Sequence, residues 1–140
     1  MSYSRRDLSL LLPALAAARA KAQSPGLASK TYRFEDLTVR PSGENRLRPV
    51  LEGETHAGVP IELHMTELDP GKAPHPPHHH LHEEMIMIHE GTLEVTIGDR
   101  SARLGPGSVA FVASNEHHGW KNVGTTRALY FVLALGRDSS

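Results

Sequence analysis

From Leu47 onward the apolar residues fall in short runs. Ile61-Glu-Leu-His-Met65 and Leu93-Glu-Val-Thr-Ile97 alternate apolar with polar side chains, the period of a strand with one face buried. Met85-Ile-Met-Ile88 and Ala128-Leu-Tyr-Phe-Val-Leu133 are apolar throughout, which predicts strands buried on both faces, and Val109-Ala-Phe-Val112 is a further run. Turn-forming residues separate them: Gly53, Gly58-Val-Pro60, Asp69-Pro-Gly71, Glu90-Gly91, Gly98-Asp99, Gly105-Pro-Gly107 and Gly124. Many short strands at such spacing imply an all-β sandwich or barrel, over residues 47–136. Residues 23–46, with Pro25, Gly26, Pro41 and Gly43, are expected to be a linker or arm with one short strand at Tyr32 to Phe34, and residues 137–140 a tail. Three prolines between Ala73 and Pro77 predict an extended approach rather than a strand. No internal repeat is visible.

The first 22 residues follow a different rule. Arg5 and Arg6 precede an apolar run from Leu8 to Ala18, and Ala20-Lys21-Ala22 has the A-x-A form of a processing site. Ser4-Arg5-Arg6-Asp7-Leu8 resembles the start of a twin-arginine export signal, which places the mature protein in the periplasm or outside the cell. Pro13 argues against an ordinary amphipathic helix, and the apolar run is too short for a stable membrane anchor. Because the twin-arginine route carries folded proteins, a metal could be loaded before export.

Composition narrows the chemistry. There is no cysteine, so disulfides and thiolate metal sites are excluded. The formal charge is −1, and removal of residues 1–22, with four basic residues and one acid, would leave −4. No basic stripe stands out, so neither nucleic acid nor an anionic membrane is an expected partner. Histidine is the unusual count: ten, of which eight lie between His75 and His118 and five between His75 and His82. A solvated loop has no need of so many imidazoles, whereas a metal site does.

In an extended chain residues two apart point the same way, so His78 and His80 can face inward while His79 faces out, and Glu84 shares their parity. A fourth ligand has to come from another strand, and His117 and His118 follow a run that would cross the barrel and return. This arrangement resembles the cupin superfamily. Its first motif has two histidines one residue apart, then a glutamate, then a glycine, matched by His78-x-His80, Glu84 and Gly91. Its second opens on a Pro-Gly turn and carries a histidine followed by asparagine, matched by Gly105-Pro106-Gly107, His118 and Asn122. The Asn122 spacing selects His118 over His117. Ser108 stands where an aspartate is common, and the gap from Gly71 to His78 is one residue longer than usual.

The resemblance implies a double-stranded β-helix, or jelly roll, with a short N-terminal extension and one divalent metal in one mouth, held by His78, His80, Glu84 and His118. It also implies Mn2+ or Fe2+ as the commonest occupant, and a homodimer with strands near Leu47 to Glu54 crossing to the partner; an exposed sheet edge gives a physical reason for such pairing. A sulfur-free ligand set suits Mn, Fe, Co, Ni or Zn rather than Cu(I). Cysteine-bearing thiol dioxygenase relatives do not fit, since Glu84 is present and cysteine is absent. His79 and His82 are expected next to the ligands or in solvent, with His82 or Glu83 suited to orienting a ligand ring. His75 and His117 are expected at the rim, and His56, His64 and His89 on strands. His64 shares a face with Glu62 that would reach the cavity, and Trp120 is expected as core or pocket wall.

Three functions follow. The first is a metal-dependent enzyme of dioxygenase, decarboxylase or isomerase type acting on a small oxygenated molecule, with Glu84 moving between ligand and base. The apolar flank of Met85, Ile86, Met87, Ile88, Phe111, Val112 and Trp120 would suit an aromatic or partly apolar substrate if it lines the cavity. A small dicarboxylate would need arginines, for which Arg100, Arg103 and Arg127 are the candidates, none in a motif. The second is a non-catalytic exported binder of a metal or small ligand; the third, a barrel without metal, requires four ligands to align by accident. Replacing Arg5 and Arg6 together by lysine should abolish export, as measured by fractionation of the host cell, and unchanged export would refute the signal.

Overall fold

The chain folds where the turn residues and apolar runs divide it, and it pairs its strands into two antiparallel sheets. The structure is a computed structural model describing residues 26–138, so the expected signal at 1–22 and the last two residues of the tail lie outside the described part. Nine strands are described: β1 (Arg40–Ser42), β2 (Asn45–Glu54), β3 (Pro60–Leu68), β4 (Glu83–Glu90), β5 (Leu93–Ile97), β6 (Arg100–Leu104), β7 (Val109–Val112), β8 (His118–Asn122) and β9 (Ala128–Leu135). A six-stranded sheet runs β1-β2-β3-β9-β4-β7 and a three-stranded sheet runs β6-β5-β8. Leu68, Ile86, Ile88, Leu93, Val95, Val112, Trp120, Tyr130 and Val132 fill the space between them. No described helix is long and apolar enough to cross a membrane.

The predicted strands at Leu93 to Ile97 and Val109 to Val112 match β5 and β7 end for end. Three expectations need correction. Tyr32 to Phe34 is not a strand: a single 3-10 turn spans Phe34–Asp36. The sheet begins earlier than residue 47, because β1 and the start of β2 lie in the supposed arm. The Met85 run is not buried on both faces either. Along β4, Glu84, Ile86 and Ile88 are buried while Met85 and Met87 are half-buried, a strict alternation.

The alternation reflects a sheet with two different coverings. One face of the large sheet packs on the small sheet, whereas the other is covered in part by the arm. Tyr32, Phe34 and Leu37 lie along a groove with Val50, Met65, Leu129 and Phe131, which accounts for the burial of Met65 and Leu129 on that outer side. Glu67 is also buried there, with its side chain 1% exposed, and is met by Arg46 at 2.7 Å, Arg127 at 3.0 Å and Arg48. Burial alone would raise its carboxyl pKa, but hydrogen bonds from Arg46 and Arg48 outweigh that and hold it below the usual range. Arg48 in turn lies 4.6 Å from the centre of the Phe34 ring, so the arm is pinned through a cation–π contact to the same cluster.

Gly91 turns the chain from β4 into β5 with φ +83°, and a Cβ there would lie 2.6 Å from Cα of Ala128. Neither the left-handed backbone nor the close approach to β9 tolerates a side chain. Gly91→Ala should therefore lower stability by about 2 kcal/mol or more, read from the shift in urea midpoint.

Candidate metal centre

The long connection from β3 to β4, residues 69–82, runs beside β8 and touches it at two points. At one, Gly71 N donates to Asn122 O and Asn122 N to Lys72 O, both at 2.9 Å. At the other, His78 and His118 exchange backbone hydrogen bonds of 2.9 and 2.8 Å as an isolated antiparallel bridge. Between these points Ala73–Pro77 stands off the strand. Pro74, Pro76 and Pro77 have no N–H to offer a ladder, so the segment cannot zip closed. Gly119 lets the chain pass closely: a Cβ there would lie 3.0 Å from Cγ of Pro77. The bridge places His78 directly against His118, the first residue of β8, with His80 two residues on and Glu84 second in β4.

These four side chains converge. One ring nitrogen each from His78, His80 and His118 lies within 4.8 Å of the others. Glu84 places Oε1 3.4 Å from Nε2 of His80 and Oε2 3.3 Å from Nε2 of His118. The outer ring nitrogens are spoken for: Nδ1 of His80 donates to the carbonyl of His82, and Nδ1 of His118 to that of Glu116, both at 2.8 Å. A neutral imidazole that donates from Nδ1 presents a bare lone pair at Nε2. His78 is kept neutral, its pKa pushed down to about 4, first by burial and then by the neighbouring His75, His118 and His80.

Five buried polar side-chain atoms among the described residues lack a hydrogen-bond partner, and four of them are Nε2 of His78, His80 and His118 and Oε2 of Glu84. Leaving such atoms unpaired costs about 1–3 kcal/mol each. Electron-pair donors aimed at one point, with nothing to donate to them, fit a cation. Three imidazoles and one carboxylate suit a borderline divalent ion.

The other candidates divide clearly. His79 is exposed, as its parity requires, and so is His117. His75 is half-buried and stacks on His78 with ring centres 4.0 Å apart, closer to the site than a rim position. His56 lies in the turn after β2 rather than on a strand, while His89 is exposed near the end of β4. Glu62 and His64 do share the face of Glu84, because the register runs Glu84–Ala134–Glu62 and Ile86–Val132–His64. They engage each other, with Nδ1 of His64 2.9 Å from Oε2 of Glu62.

Trp120 is core and wall at once: its ring stacks on His118 at 5.8 Å and its Nε1 donates to the buried Tyr130 hydroxyl at 2.8 Å. Asn122 is structural. Its amide donates to the carbonyls of Leu68 and Thr126 and its oxygen accepts from Gly124 N, all at 2.9 Å, which locks the turn after β8.

The expected apolar flank is half wrong. Ile86, Ile88, Val112 and Trp120 lie on the inner side, but Met85, Met87 and Phe111 alternate to the outer one, where Phe111 is 49% exposed. Arg127 is bound to Glu67 on the outer face, Arg103 lies 3.9 Å from Glu94, and Arg100 is exposed on β6, so none of the three reaches the histidines. One residue near the site was missed altogether: Asp138, beyond β9, contacts His82 at 3.0 Å. Its only signal in the sequence is an acid in a tail, which is no signal.

The cupin domain family matches residues 64–134. No curated protein matches the chain. Among solved structures, a predicted oxalate decarboxylase from Thermotoga maritima aligns with TM-score 0.67 at 20% identity, over 77% of this chain and 100% of that one. An RmlC-like cupin from Shewanella frigidimarina aligns with TM-score 0.65 at 17% identity, over 79% and 93%. The polyketide cyclase RemF from Streptomyces resistomycificus aligns with TM-score 0.62 at 21% identity, over 81% and 83%. At such identities the likeness is one of fold.

A depressed histidine pKa sets a pH dependence for the metal-free protein. His78 takes up its proton at about 6.5 when unfolded but only near 4 when folded. Its contribution to stability is therefore complete above about pH 6.5 and is lost as the pH falls towards 4. Urea unfolding of the metal-free chain across this window should show that loss, and His78→Asn should flatten it.

Proposed function

This chain belongs to the cupin domain family, and we propose that it is a metal-dependent member in which His78, His80, Glu84 and His118 hold one divalent ion between the two sheets. The observation that carries the reading is the convergence of four buried donor atoms that have no hydrogen-bond partner. When bound, Mn2+ or Fe2+ would act as a Lewis acid towards a small oxygenated molecule, with Zn2+, Ni2+ or Co2+ as other occupants.

The protein side supports an enzyme of decarboxylase, isomerase or dioxygenase type. The carbonyls of His82 and Glu116 fix the tautomers of His80 and His118, so no reorientation is needed on binding. Glu84 is the one carboxylate among the four converging side chains, which makes it the candidate base. Ile86, Val112 and Trp120 supply an apolar wall that keeps the local dielectric low. With Arg100, Arg103 and Arg127 elsewhere, a neutral or singly charged molecule suits the site better than a small dicarboxylate. The structures similar in fold span a decarboxylase and a cyclase by name, so fold alone does not choose the reaction.

Element-specific analysis of the untagged protein, purified without added metal, should find about one Mn or Fe per chain on the four-ligand reading. Zinc or no metal would favour a binding role. His80→Ala and His118→Ala should each remove most metal, while His79→Ala should retain it; equal loss at His79 would refute the assignment of faces.

A further inference from the structure

The tail beyond the last strand returns to the ligand loop. Oδ1 of Asp138 accepts the backbone N–H of Leu81 at 2.9 Å and that of His82 at 3.3 Å, and it lies 3.0 Å from Nδ1 of His82. Across the ring, Nε2 of His82 lies 3.3 Å from Oε1 of Glu84. The same ring stacks on that of His80, with centres 3.6 Å apart and planes within 9°. This imidazole thus faces Asp138, 56 residues away in sequence, at Nδ1, Glu84 at Nε2 and His80 on one face.

The geometry points to Asp138 and His82 as positioning residues of the metal centre. His82 engages Oε1 of Glu84, and the oxygen left over, Oε2, is the one without a hydrogen-bond partner beside His118. Fixing one carboxylate oxygen aims the other. Asp138 holds the His82 ring in the orientation this requires, and its two backbone bonds anchor the loop between His80 and Glu84. A carboxylate–imidazole pair behind a ligand spares the site the entropy of ordering it when the ion arrives.

His80, His82 and Asp138 also form a compact group that could be taken for a second ion site. The bonds exclude that reading. His80 spends Nδ1 on the carbonyl of His82 and aims Nε2 at the first centre, and the Asp138 oxygen nearest the ring already accepts two backbone N–H groups. Rings stacked with their planes nearly parallel also keep their in-plane lone pairs in two separate layers rather than aimed at one point.

The inference rests on the proposed metal site, and cobalt(II) alone tests both. Co2+ is titrated into the metal-free full-length chain against a competing chelator, for wild type, Asp138→Ala, Asp138→Asn and His82→Ala, and the visible spectrum of the bound ion is recorded. Asp138→Ala and His82→Ala should each weaken binding by about 10–100-fold and alter the spectrum, with little change in the unfolding midpoint of the metal-free protein. Asp138→Asn, which keeps an oxygen for the backbone N–H groups, should lose less. Wild-type affinity and spectrum in Asp138→Ala would overturn the inference, and so would weaker binding that only tracks lost stability with the spectrum unchanged. If wild type itself fails to bind Co2+, it is the metal site that is refuted, and the positioning role falls with it.

Discussion

The candidate centre depends on one pair of backbone hydrogen bonds, the bridge between His78 and His118. The histidines belong to segments 40 residues apart in the chain, one in an irregular loop and one opening a strand. Their side chains can share an ion only if the loop is held at a fixed register against β8. Proline makes that register possible, because Ala73–Pro77 cannot extend the ladder and must bow away. Gly119 makes it close, by leaving room for Pro77. The Asn122 amide then locks the other end of β8 to Leu68 and Thr126, so the strand that carries His118 is tied down at both ends.

A set of buried lone pairs is expensive, and the architecture concentrates that expense at one point. Elsewhere among the described residues only Oδ1 of Asn45 is left unmatched; Glu67 is met by three arginines, Trp120 by the Tyr130 hydroxyl and Asn122 by the backbone around it. Two unlike surfaces of the large sheet result. The inner one carries Glu84, Ile86 and Val132 towards the histidines, while the outer one carries Met65, Leu129 and Phe131 beside the arm. The same outer surface holds the Glu67 cluster, and Phe34 links the arm to it through Arg48.

Much of this was legible because strands advertise themselves by period and turns by residue type. β5 and β7 could be bounded to the residue, and the expected grouping of His78, His80 and Glu84 is found even though Leu81 and His82 form a bend between them. β6 was missed because Arg100-Ser-Ala-Arg-Leu104 is polar, its burial pattern exposed almost throughout. β8 was missed because His118-Gly-Trp-Lys-Asn122 contains a glycine and too few apolar residues to show a period, although three of its first three residues are buried. Tyr32 to Phe34 looked like a strand because aromatic residues favour strands, but here Tyr32 and Phe34 line one side of a groove.

Sequence by itself determined the all-β class and the turns, which depend on local period and on turn-forming residues, and set His78, His80 and Glu84 apart by parity, while His118 was distinguished from His117 by the resemblance to the cupin motif. Tertiary structure alone decided which face each apolar run would show, because a wholly apolar run such as Met85 to Ile88 carries no period to tell inside from outside. It alone brought Asp138 to His82 and placed Arg127 on Glu67 rather than at the histidines. An exposed aspartate in a tail and an arginine in a turn look the same wherever the fold takes them; their partners are set by chain return, which no local pattern encodes.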